Sequence, residues 1–152
     1  MKEKSQEKGM TLIVKVITRL TVGLIMLFGV YIVSHGHISP GGGFAGGVII
    51  ALSFIHIILA FGKEAALKKI NKSVASFFES LGAIIFISLA VLGIGSGYFF
   101  LNFLSKGKPF DLFSSGLIPL YNVAISFKVG AGLFIIFFIL VSFKIFKEGD
   151  ER

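Results

Sequence analysis

The 152-residue sequence has no cysteine and no tryptophan, and only 15% of its residues are charged. Without cysteine there is no disulfide, no thiolate metal site and no thiol nucleophile. The low charge excludes an ordinary soluble domain, in which about a quarter of the residues are charged. Catalytic signatures are missing too. There is no G-x-S-x-G elbow, no H-E-x-x-H pair and no carboxylate dyad, so an enzyme within the membrane has no candidate machinery. His35 and His37 have no third ligand nearby, so no metal and no other cofactor is expected.

What the chain does have is apolar length. It is 55% hydrophobic with a mean hydropathy of +0.91. A spanning helix needs about 20 apolar residues, and four stretches approach that: residues 12–34, 44–61, 73–101 and 117–146. The expected fold is an all-α integral membrane domain of four transmembrane helices covering residues 1–152. The third stretch is long enough to tilt or to project past the bilayer. The first is too long for a cleavable signal peptide and no A-x-A-like site follows it.

The net charge of +7 is distributed unevenly. Lys2, Lys4, Lys8, Lys15, Arg19, Lys63, Lys68, Lys69, Lys72, Lys144, Lys147 and Arg152 fall on one side of a four-span topology. Lys106 and Lys108 fall on the other. The positive-inside rule then puts both termini in the cytoplasm of a multi-pass cell-membrane protein. Attraction to anionic lipid headgroups explains the remaining basic excess, and no nucleic-acid partner is expected. In the outer loop, Phe110, Leu112 and Phe113 suggest either a short segment lying on the membrane surface or an ordinary loop packed on a neighbour.

Between the first two spans runs Gly36-His37-Ile38-Ser39-Pro40-Gly41-Gly42-Gly43-Phe44-Ala45-Gly46-Gly47, half of it glycine. Glycine loses the most conformational freedom on ordering, so such a cluster implies unusual torsions or a close backbone approach. It is not a phosphate loop, because the Lys-Ser/Thr ending is absent. Gly43, Gly47 and Ala51 form a small-residue ridge at i, i+4 spacing, with His56 on roughly the opposite face. The third span carries Ser76, Glu79, Ala83, Ala90, Gly93 and Gly97 on one stripe. The fourth carries Tyr121, Ala124, Lys128, Ala131, Gly132 and Ser142.

Ionisable groups inside a span are costly and call for a role. Glu79, Lys128 and His56 are the candidates for a polar or ion pathway, since burial can tune each to take up and release a proton. Each also has a structural alternative. Glu79 can pair with Lys72 or Lys69. Lys128 can snorkel or pair with a neighbouring carboxylate. His56 can hydrogen-bond to an adjacent helix.

The segment Gly36, His37, Pro40, Gly41, Gly42, Gly43, Phe44, Gly46, Gly47 resembles the signature of the B subunit of Mrp-type multisubunit sodium/proton antiporters. The equivalent subunit of archaeal membrane-bound hydrogenase and sulfane reductase complexes is similar. The resemblance covers essentially the whole chain. It implies an accessory membrane subunit, without catalysis of its own, packed beside large antiporter-like subunits and other small Mrp-type subunits. The species transported by such a complex would be sodium ions and protons. The alternatives are the same module inside a redox-driven respiratory complex, and a purely structural scaffold with no ion path.

Overall fold

The computed structural model describes residues 10–62, 72–104, 107–108 and 114–150. Among these the chain is all-helical. The helices are α1 (Leu12–Ser34), α2 (Gly42–Phe61), α3 (Lys72–Leu92) with a 3-10 turn at Gly93–Ser96, and α4 (Ile118–Asp150). Each contains a stretch long and apolar enough to cross a membrane. The segment expected to lie on the membrane surface, 110–113, falls outside the described residues, as does Lys69.

The helices form a row, α1–α2–α4–α3, in which α1 and α3 share no substantial contact. Glycine sets the separations. A Cβ on Gly46 of α2 would stand 2.9 Å from the carbonyl oxygen of Gly29 on α1 and would collide with Val33. A Cβ on Gly47 would stand 3.0 Å from the carbonyl oxygen of Ser126 on α4, and one on Gly82 of α3 would come 2.6 Å from the carbonyl oxygen of Ala124. Helices in lipid gain nothing from hiding apolar surface from water, so this backbone approach is what draws them together. Gly43 opposes Asn122 and Gly47 opposes Ser126, so α2 and α4 run parallel.

The outer surface suits lipid. On α1, Leu20, Leu24 and Leu27 are each about 70% exposed. A small apolar core of Ile58, Ala75 and Phe134 joins α2, α3 and α4, with Phe54 edge-on to Phe134 at 6.1 Å. At the same end, Met10 N–H donates to the carbonyl of Ala60 at 3.1 Å, and the Arg19 guanidinium lies 5.3 Å above the Phe61 ring.

Two sequence expectations shift. The third stretch is not helical to residue 101, because α3 ends at Leu92. The chain then folds back, so that Phe100 N–H donates to the Ala90 carbonyl at 3.2 Å. Gly97, with φ +126°, supplies the backbone conformation for the reversal, and Gly93 leaves room for Leu101. The packing face of α3 keeps Ala90 and Gly93 of the expected stripe buried but departs from it near the start of the helix. Ala75, Gly82 and Ala90 are the buried residues, whereas Ser76 is exposed. The Phe78 ring lies 5.5 Å from that of Phe127 on α4.

Candidate functional site

The glycine segment forms a tight hairpin in which local groups satisfy the end of α1. The last carbonyls of a helix have no partner within it. Here Ser34 Oγ–H donates to Val30 O at 2.9 Å, His35 N–H donates to Tyr31 O at 3.0 Å, and Ser39 Oγ–H donates to His35 O at 3.2 Å. The His35 ring stacks on Tyr31 with centroids 4.1 Å apart and its Nδ1 lies 3.0 Å from the Tyr31 carbonyl.

That leaves the start of α2. Its N-cap position is Gly41, which has no side chain to cap with, and Ser39 is already engaged. The cap arrives from the other hairpin. Asn122 Oδ1 on α4 accepts the Gly43 N–H at 3.2 Å across 79 residues of sequence. Asn122 is 8% exposed, and its Nδ2 lies 2.7 Å from where a Cβ on Gly36 would stand. Gly36 and Gly42 are themselves pressed together, with no room for a Cβ on Gly36. Gly41 and Gly42 take φ +139° and +65°, torsions that side chains disfavour. The cluster thus has both reasons for glycine, turn geometry at 41–42 and close approach at 36, 43, 46 and 47.

Of the remaining motif residues, Phe44 is exposed and turned out of the bundle, and His37 and Pro40 lie in the turn. A second asparagine plays a matching part nearby. Asn102 Nδ2–H donates to Ser115 O at 3.1 Å and its Oδ1 accepts the Leu117 N–H at 3.2 Å, fixing the entry to α4. Above it, Phe86, Phe100 and Tyr121 form an aromatic cluster with centroids 5.2–5.7 Å apart.

The three ionisable candidates do not converge. Glu79 is half-buried on α3, facing Gly132 of α4, where an added Cβ would stand 3.8 Å from its Oε1. Lys128 has its backbone at the α3–α4 contact, since a Cβ on Gly82 would lie 2.8 Å from its amide nitrogen. Its side chain nevertheless leaves the bundle and is exposed. His56 on α2 is exposed as well. Asn122 was not legible as a functional residue; the available hint was a lone amide in an apolar span, a costly group that must find a partner.

The family described as "Domain related to MnhB subunit of Na+/H+ antiporter" matches residues 13–135. An uncharacterised Methanocaldococcus jannaschii protein, MJ1307, is 36% identical over 132 residues, covering 82% of this chain and 50% of that protein. A Staphylococcus aureus (strain Newman) protein named as a candidate antiporter subunit, mnhB2, is 40% identical over 58 residues, 38% of this chain and 41% of that one. A chain in the structure of the membrane-bound sulfane sulfur reductase, an archaeal respiratory membrane complex, superposes with a TM-score of 0.73 at 30% identity. That match covers 92% of this chain and 63% of the other. The chain therefore spans about half the length of the curated relatives it matches.

Proposed function

The chain belongs to the family of the MnhB subunit of Na+/H+ antiporters, and from that membership we propose that it is an accessory membrane subunit of a multisubunit cation/proton antiporter module. It works by structure rather than by catalysis, and its partners are the other membrane subunits of such a complex. The observation that carries this is the cross-hairpin cap, in which the family-like glycine segment is closed by Asn122 of α4. That bond fixes two hairpins as one rigid unit while their outer faces stay apolar and available. A rigid, multi-pass wedge of this kind is suited to hold larger subunits in register.

A second reading has its own support. The similarity to a chain of the sulfane sulfur reductase complex favours the same module within a redox-driven membrane complex. Mild-detergent affinity purification from native membranes, followed by mass spectrometry, separates the two. Large antiporter-like subunits alone indicate a dedicated exchanger. Added iron–sulfur or nickel–iron subunits indicate the redox-driven form, and a homo-oligomer without other chains would overturn both.

Within this function Glu79 is the group best placed for a direct part in ion movement. It is half-buried in a span and faces a glycine that leaves space beside its carboxylate. Glu79→Ala is expected to lower sodium-dependent proton exchange in vesicles carrying the whole complex, with subunit composition unchanged. Unaltered exchange would leave Glu79 a packing residue and favour a scaffold with no ion path.

A further inference from the structure

Two charged side chains stand on one flank of the α3–α4 seam. Contacts trace that flank. On α3, Glu79 and Phe86 are seven residues apart and share a stripe, and on α4 Tyr121, Lys128 and Gly132 do the same. Phe86 meets Tyr121 with ring centroids 5.2 Å apart, and Glu79 faces Gly132. Lys128 lies between these two contacts, level with Gly82, whose added Cβ would come 2.8 Å from the Lys128 amide nitrogen. The Phe78 and Phe127 rings take the opposite flank.

Gly132 locates the carboxylate. Glu79 Oε1 stands 3.8 Å from where a Cβ on Gly132 would be, so across the seam it takes the place of a side chain at residue 132. Residues four apart on a helix are neighbours, with Cβ atoms about 5–6 Å apart, and lysine and glutamate pair at that spacing. Lys128 precedes Gly132 by four. The carboxylate is therefore to Lys128 what an i+4 partner on its own helix would be. Between Glu79 and Phe86 this flank of α3 offers only Gly82 and Ala83, which put no bulky side chain in the way.

Depth gives the reason to pair. By helix rise Lys128 lies about 15 Å from the start of α4 at Ile118, well inside a span that runs to Phe143. Lysines snorkel to the headgroups from near helix ends, not from mid-span. Glu79 lies about 10 Å inside α3 from Lys72, and Lys72 itself is two turns away, beyond the reach of a helical pair. The Lys128 side chain is turned outward, and neither residue makes an ion pair among the described residues. Two separate charges at this depth are costly, and each is the complement of the other.

We infer that in the membrane Lys128 is the counter-ion of Glu79, its ammonium folded back along the α3–α4 flank onto the carboxylate. The two charges become one neutral pair inside the bilayer. The pair fastens α3 to α4 beside the glycine contacts and fixes where the carboxylate points. The inference stands on the seam geometry and holds whichever complex the chain serves.

The test uses the full chain in lipid nanodiscs. Glu79→Gln and Lys128→Gln each leave one charge without its complement, so each should lower the thermal midpoint by roughly 5 °C. The double variant removes both charges and should regain most of that loss, as should the exchanged pair Glu79→Lys with Lys128→Glu. Losses that simply add in the double variant would overturn the inference. So would an unchanged midpoint with Lys128→Gln. A distance measurement keeps the test independent of how these variants fold. With isotope-labelled lysine side-chain nitrogen and glutamate carboxyl carbon, solid-state NMR of the wild-type chain should show a lysine–carboxylate contact of about 4 Å or less. That contact should vanish in Lys128→Arg, which keeps the charge but lacks the label. The lack of any contact that depends on Lys128 would overturn the pairing.

Discussion

At the scale of single residues, Asn122 joins the two hairpins through one buried hydrogen bond. It supplies by a cross-helix side chain what Ser, Thr, Asp or Asn usually supplies at the N-cap itself. Asn122→Ala removes the acceptor and leaves the Gly43 N–H without a partner in a buried setting. Loss of an N-cap costs about 1 kcal/mol, and an unsatisfied buried donor about 1–3 kcal/mol. Thermal unfolding of the purified protein in detergent should show a lower midpoint for Asn122→Ala. An unchanged midpoint would mean that Oδ1 contributes nothing to holding the hairpins. Lys128 illustrates the opposite case. Its helical position suggests the packed face, yet only its backbone is there. Residues at the margin of a contact cannot be assigned a direction from 100° steps alone.

At the scale of elements, glycine positions divide by what a methyl group would meet. On Gly43 it would run into the Asn122 carbonyl, whereas on Gly23 in α1 it would meet nothing within 4 Å. Gly43→Ala should therefore destabilise the protein strongly. Gly23→Ala should be neutral or stabilise it by up to about 1 kcal/mol, from helix propensity. Denaturation of the two variants side by side checks the contrast, and equal effects would refute the close-packing account. The helices and the glycine hairpin were legible in the sequence because hydropathy and local composition encode them. The end of α3 at Leu92 was not. Gly93, Gly95 and Gly97 signal a break, but the apolar residues that follow read as more span, and only the return of Phe100 onto Ala90 ends it. The Asn122 cap was hidden for a related reason: a contact separated by 79 residues leaves no periodic trace.

At the scale of the whole molecule, the row α1–α2–α4–α3 has a definite polarity. The glycine hairpin, Asn102 and the start of α4 share one end, and Met10, Arg19 and Phe61 share the other. The lysine distribution argues that the Met10 end faces the cytoplasm. The absence of cysteine makes this simple to test in intact cells. A membrane-impermeant maleimide should label Lys108→Cys and leave Lys4→Cys unlabelled until the cells are opened. The reverse pattern would invert the topology. The three ionisable residues gain their meaning at this scale as well. Glu79 belongs to the α3–α4 seam, whereas His56 and Lys128 are exposed on the outside of the four-helix row.

The cross-helix cap also has a consequence for biogenesis. The first hairpin is synthesised long before α4, so it enters the bilayer with the Gly43 N–H still unmet and the glycine ridge of α2 uncovered. The ribosome must complete the last span before Asn122 can close the structure. A chain truncated before residue 122 would expose that ridge and the open helix start together, the kind of surface by which membrane quality control can tell an unfinished subunit from a finished one.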